Sequence, residues 1–182
     1  MRIIAGTHQR RIIKPPSKLS VRPTTDLAKE ALFNILNNRV DFEGLKVIDL
    51  FAGTGNISFE FASRGAAEVI AVESNFKCVD FINKTIVKQD FENLKVVKAD
   101  VFRFLSYCRQ GFDLIFADPP YDLKETANLP GLVFEKELLS NMGWLIIEHP
   151  AAINFKNFHS FVEERNYGRV HFSFFQQPDM KK

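Results

Sequence analysis

The stretch Val47-Ile-Asp-Leu-Phe-Ala-Gly-Thr-Gly55 decides the fold. It opens as an apolar run suited to a buried strand, meets an acid at Asp49, and closes on Gly53 and Gly55, which let the backbone turn sharply. A strand that enters a glycine turn and then a helix is the first unit of an open α/β sheet. In such sheets the ligand crevice lies outside the carboxyl ends of the strands, so this turn faces a nucleotide-like ligand. A dinucleotide fingerprint wants a third glycine where Ser58 stands, and the Asp49 carboxylate sits poorly beside a pyrophosphate. The same carboxylate suits a cationic ammonium group, which S-adenosylmethionine carries together with a sulfonium.

Outward from this stretch, strands and helices alternate. The spacing of Leu27, Ala28, Ala31, Leu32, Ile35 and Leu36 predicts an amphipathic helix over 25–38, behind a Thr-Thr-Asp able to cap it. A strand is expected over 45–50, a helix over 56–64 closed by Gly65, a strand over 68–73, and a helix over 75–89 with Cys78, Val79, Ile82 and Ile86 inward. Strands at 94–97, 112–117 and 144–148 then alternate with helices at 101–108 and around 132–140. This pattern implies a mostly parallel sheet covered on both faces. The end differs: 158–164 and 169–175 flank Asn166-Tyr167-Gly168 and read as a β-hairpin, so one strand should run antiparallel. Residues 177–182 look like a frayed tail.

The composition suits one globular domain: 182 residues, 46% hydrophobic and 25% charged. No run approaches the ~18 apolar residues of a membrane span, no apolar leader opens the chain, and a cytoplasmic protein is expected. Cys78 and Cys108 with four scattered histidines provide neither a disulfide framework nor metal-ligand spacing, so no metal is expected. The net charge of +2 hides an asymmetry. Arg2, Arg10, Arg11, Lys14, Lys18 and Arg22 precede the first acid, Asp26, leaving 18 basic against 22 acidic residues in the rest. A basic arm over residues 1–24, ahead of the domain over 25–182, is a footprint for phosphate backbones as well as for a solvated terminus.

Two further acids follow apolar runs: Glu73 after Val69-Ile-Ala-Val72, and Asp100 after Val96-Val-Lys-Ala99. An acid about 20 residues beyond the glycine loop is placed to reach ribose hydroxyls, which assigns Glu73. Asp100 then accepts from the adenine amine, with the Val101 backbone nearby. Asp118-Pro119-Pro120-Tyr121 ends the run Phe112 to Ala117. Its prolines lack backbone N–H groups, so their carbonyls stand as fixed acceptors beside the Asp118 carboxylate. An exocyclic amine on a flat base supplies the matching donors, and the Tyr121 ring a surface for stacking.

These motifs, with Arg22-Pro-Thr-Thr-Asp26 upstream, resemble the RsmD-type methyltransferases, which modify a guanine N2 in bacterial small-subunit ribosomal RNA. The resemblance covers nearly the whole chain. It implies a Rossmann-like class I methyltransferase fold with a seven-stranded, mostly parallel sheet and a C-terminal antiparallel hairpin, and S-adenosylmethionine as donor. It also implies Asp49, Phe51, Gly53, Gly55, Glu73, Asp100 and Val101 at the cofactor, and Asp118, Pro119 and Tyr121 at the target base. Arg2, Arg10, Arg11, Lys14 and Arg22 fall in the RNA-binding extension. Small-subunit RNA or the assembled 30S particle is the expected partner, with neither membrane nor obligate protein partner. The sequence departs from the family pattern at Thr7-His8-Gln9-Arg10-Arg11, where relatives usually read x-x-Arg-Gly-Arg after Ala-Gly, and at Ser58 and Asn75, where they often have Gly and Asp. An adenine-N6 DNA methyltransferase shares Asp-Pro-Pro-Tyr but typically adds a base-recognition domain, for which this chain has little room. A non-catalytic RNA-binding or ribosome-assembly protein on the same fold is the other alternative.

Overall fold

The computed structural model describes residues 1–16, 19 and 26–179. Helix α1 (Asp26–Leu36) leads into β1 (Lys46–Leu50), α2 (Asn56–Ser63), β2 (Glu68–Glu73), α3 (Phe76–Gln89), β3 (Leu94–Lys98), α4 (Val101–Tyr107) and β4 (Phe112–Ala117). Then follow α5 (Leu129–Glu135), β5 (Leu139–His149), β6 (Phe161–Tyr167) and β7 (Val170–Gln176). The strands form one sheet in the order β3-β2-β1-β4-β5-β7-β6. Strands β1 to β5 pair in parallel, and β7 runs antiparallel to both β5 and β6. This is the mostly parallel sheet with a C-terminal hairpin that the element pattern predicts, in the seven-stranded form that the resemblance implies. Lys18, Arg22 and the Thr24-Thr25 cap lie outside the described residues, as do 180–182 of the expected tail.

Alternation along the strands builds two apolar layers. Val47, Val69, Ala71, Leu114, Phe116 and Ile146 pack beneath α1, α2 and α3, whereas Ile48, Leu50, Ile70, Val72, Ile115 and Ile147 pack beneath α4 and α5. Several boundaries differ from the sequence reading: α1 stops at Leu36, β6 spans Phe161–Tyr167 rather than 158–164, and α5, β5 and the hairpin turn are also displaced. The helix expected around 132–140 begins at Leu129 and stops at Glu135, because Pro130 presets its first turn and Glu137 adopts a left-handed φ of 52°. The chain then re-enters the sheet at Leu139, five residues before the expected strand; Leu139 pairs with Phe112, and the register shifts before Leu114 meets Trp144. The hairpin turn is Gly168-Arg169, with Asn166 and Tyr167 still in β6 opposite His171 and Val170, because Gly168 takes the positive φ of 67° the two-residue turn requires.

Every residue of α2 is buried, including Asn56, Ser58, Glu60 and Ser63. The first 13 residues explain this, since they fold back over α2 as a broad turn with Arg2 bridged to Ile12, and bury Ile3 and Ile13 in the core. Glu60 accepts the amides of Ile4 and Ala5 at 2.9 and 3.1 Å, and ion-pairs with Lys29 at 3.4 Å and Arg64 at 2.9 Å. Lys29 also donates to the Arg2 carbonyl and to Asn56 Oδ1. Burial pulls the Lys29 ammonium below its ordinary pKa, against the upward pull of Glu60. Gly6 crosses α2 so closely that a Cβ there would lie 1.7 Å from the Ser63 carbonyl oxygen.

Candidate functional site

The glycine turn between β1 and α2 carries three positive φ values: Phe51 at 64°, Gly53 at 55° and Gly55 at 79°. For Phe51 this is uncommon backbone, held by neighbours on both sides: Ala52 donates to the Val72 carbonyl, and the Phe51 ring meets Phe102 edge-on. Gly55 is required twice over, because a Cβ would approach Phe59 to 2.9 Å. Gly53 is different. Nothing stands nearer its absent Cβ than the Phe51 carbonyl at 4.0 Å, so the loop is open on that side.

Asp49 lies one residue before the end of β1 and is only 1% exposed. Burial pushes its carboxyl up to about 7, opposed by hydrogen bonds from Ser58 and reinforced by the charge of Glu73. The Ser58 hydroxyl donates to Asp49 Oδ2. The departure from a third glycine thus supplies a donor that no strand-end pattern announces. Glu73 closes β2 and accepts the amides of Gly53 and Asn75, each at 2.7 Å, which fixes the open loop to the neighbouring strand. Asp100 is exposed and caps α4, its Oδ1 accepting the Arg103 amide at 2.9 Å, while Val101 is 3% exposed within the layer under α4. Because β3, β2 and β1 are adjacent, the three acids fall along one carboxyl edge.

The fourth strand completes that edge. Ala117 pairs with Leu50, and the Asp118 amide donates to the Leu50 carbonyl at 3.3 Å, so Asp118-Pro119-Pro120-Tyr121 begins beside the glycine turn. Asp118 is half-buried and Pro119 buried, whereas Tyr121 is 38% exposed and its hydroxyl donates to Glu148 Oε1 at 3.3 Å. Glu148, on β5, was missed by sequence reasoning: an acid at a strand end gains meaning only once the neighbouring strand is known.

The basic arm residues point several ways. Arg2 pairs with Glu30 at 2.9 Å, Arg11 is tied to the Gln89 carbonyl at 2.8 Å, and Arg10 is exposed in a left-handed turn. Lys14 is exposed beside a groove of about 260 Å³ shared with Ile12, Phe81, Lys84 and Lys88. The sequence reading did not include these α3 lysines, which only the folding-back of the arm brings beside it. Arg22 lies outside the described residues.

The sheet order and this edge define the class: the fold is that of the S-adenosylmethionine-dependent methyltransferases. The family described as Conserved hypothetical protein 95 matches residues 1–176. The chain belongs to it, the RsmD family. The Bacillus subtilis protein YlbH is 33% identical to this chain over 84% of each. Ribosomal RNA small subunit methyltransferase D of Escherichia coli is 31% identical over 81% of this chain and 71% of its own length. The solved structure of Escherichia coli yhhF superposes with a TM-score of 0.86 at 25% identity, covering 99% of both chains.

Proposed function

We propose that the protein transfers a methyl group from S-adenosylmethionine to the exocyclic N2 amine of a guanine in small-subunit ribosomal RNA. The observation that carries this reading is the Asp118-Pro119-Pro120-Tyr121 turn, which the Asp118 amide joins to Leu50 at the end of β1, where the glycine loop begins. The name of the Escherichia coli relative supports ribosomal RNA as the substrate class. The residues present fit the cofactor. Asp49 is a buried carboxylate paired with a hydroxyl, so an arriving ammonium gives its charged form the partner that burial withholds. Glu73 keeps lone pairs beyond those engaged by two amides, enough to accept ribose hydroxyls. Asp100 and the Val101 backbone flank the adenine position, and Phe51 with the open side of Gly53 leaves room for the ligand between them.

When bound, S-adenosylmethionine supplies a methyl group on a positively charged sulfur. The chain's own task is then orientation. Asp118 and the Pro119 carbonyl accept the two N–H bonds of the amine, which fixes the direction of the nitrogen lone pair, and Tyr121 stacks on the base face. As the nitrogen gains the methyl carbon, a neutral thioether would be left behind and one of the two N–H protons would leave past the Asp118 carboxylate to solvent. The base must leave its stack to reach this edge, which accounts for an aromatic platform beside rigid acceptors. Arg2, Arg10, Arg11 and Lys14 hold phosphates away from the reacting base, with Arg22 as a further candidate.

The test is methyl transfer from labelled donor to ribosomal RNA of cells lacking the protein, with nucleoside analysis of the product. N2-methylguanosine is expected, and N6-methyladenosine or no product refutes the reading. Asp118→Ala is expected to lower turnover by at least about a hundredfold while cofactor binding, followed by calorimetry, persists.

A further inference from the structure

The Tyr121 hydroxyl reaches a second carboxylate that the reading above leaves without a task. Glu148 is 4% exposed and lies near the end of β5, at the same edge as Asp118. Ala117 pairs in register with Ile147, so Asp118 and Glu148 are the next positions on neighbouring strands, which run about 4.8 Å apart. Alternation puts Glu148 on the side of Ile146 and Phe116, the layer beneath α1 to α3 that also receives Asp49 and Glu73. A 3.3 Å hydrogen bond ties Glu148 Oε1 to the residue that offers its ring to the base.

We propose that Glu148 is the specificity-determining residue that reads the guanine N1–H, an assignment that rests on the function proposed above. A carboxylate only accepts hydrogen bonds. The Watson–Crick edge of guanine presents N1–H beside the N2 amine, two adjacent donor positions for two adjacent carboxylates. An adenine places an N1 lone pair beside its N6 amine, and that lone pair faces a carboxylate with no proton between them. One carboxylate therefore holds the reacting amine while its neighbour admits only a base protonated at N1. The Tyr121 hydroxyl marks the place, since it already delivers a donor to the oxygen that the base N–H is to reach.

The test uses a small-subunit RNA fragment carrying either guanine or 2-aminopurine at the position found methylated. The two bases share the exocyclic amine, but 2-aminopurine has a lone pair at N1. Wild-type protein is expected to prefer guanine by at least about ten-thousandfold in kcat/KM, the scale on which a site built for a hydrogen bond rejects an analogue lacking it. Glu148→Gln carries an amide N–H able to meet the N1 lone pair, and is expected to bring that preference within about tenfold, with cofactor affinity unchanged. A loosened site would slow both bases together, so the ratio separates reading from support. Wild-type protein that methylates 2-aminopurine as readily as guanine overturns the assignment without any variant. Glu148→Gln protein that keeps the wild-type ratio also overturns it. Failure of the wild type to form any N2-methylguanosine overturns the proposed function, and this assignment with it.

Discussion

Two buried glutamates, Glu60 on α2 and Glu73 at the end of β2, do the same thing to the backbone and differ in their surroundings. Each accepts two amide N–H groups from a nearby loop, Glu60 from Ile4 and Ala5, Glu73 from Gly53 and Asn75. Glu60 is also flanked by Lys29 and Arg64, both nearly buried. Among the described residues no cation forms an ion pair with Glu73, and Asp49 beside it is pushed up toward neutrality by burial and by the charge of Glu73. Both carboxylates fasten a loop, but only Glu60 does so with its charge compensated; on the function proposed above, Glu73 keeps its remaining lone pairs for a ligand. The same side chain, accepting two backbone amides in each place, is charge-compensated in one and not in the other.

The sharpest way to break this comparison is to remove Glu60. Glu60→Ala leaves Lys29 buried without its carboxylate, and is expected to cost about 3–5 kcal/mol in denaturant unfolding. A loss below 1 kcal/mol, by rough standards for a surface pair, would erase the distinction. Glu73→Ala should cost less stability, about 1–3 kcal/mol for the two amides it leaves without an acceptor, and weaken S-adenosylmethionine binding by about 1.5–3 kcal/mol in calorimetric titration. An unchanged dissociation constant in the folded variant would remove Glu73 from the site.

Asp49 sharpens the comparison through pH. Its carboxyl is raised from the ordinary range to about 7, so the folded protein holds this proton more tightly than the unfolded chain. Its contribution to stability therefore falls as pH rises from about 4 to about 7 and is level above that. A cationic ligand needs the ionised form. S-adenosylmethionine affinity is expected to fall by up to about tenfold for each pH unit below 7, with a proton released on binding, and Asp49→Asn should remove that dependence while binding more weakly throughout. The smallest effect belongs to the arm: Lys14→Ala should leave cofactor binding alone and reduce the salt slope of RNA binding by about 0.7–0.9.

The parts legible in the sequence are those whose signal is local. Strands β2 and β4 have the bounds expected from their apolar runs, and Asp49, Glu73 and Asp118 stand where such runs meet the sheet edge. The beginning of β5 was not legible, because Ser140-Asn-Met-Gly143 breaks the alternation; Met142 turns left-handed and a Cβ at Gly143 would lie 2.9 Å from the Ser140 carbonyl oxygen. Helix α2 shows the same limit from the packing side. Glu60 reads as a solvated position until the arm covers it. Ser58 and Glu148 likewise take their meaning from Asp49 and Tyr121, partners 9 and 27 residues away in the chain.

The folded-back arm also sets an order in time. Its contacts run to Glu60 and Ser63, and further to Gln89 and Phe91, where His8 stacks at a ring distance of 4.0 Å and bonds a carbonyl 81 residues along the chain. Residues of the arm thus wait for partners made much later than themselves, the latest at Gln89 and Phe91. At about 5–20 residues per second, roughly 4–16 seconds pass between the making of His8 and the arrival of its partners. Throughout that interval His8 and Arg11 lack their partner at Gln89, whereas Arg2 meets Glu30 and the arm meets Glu60 and Ser63 as soon as those residues are made.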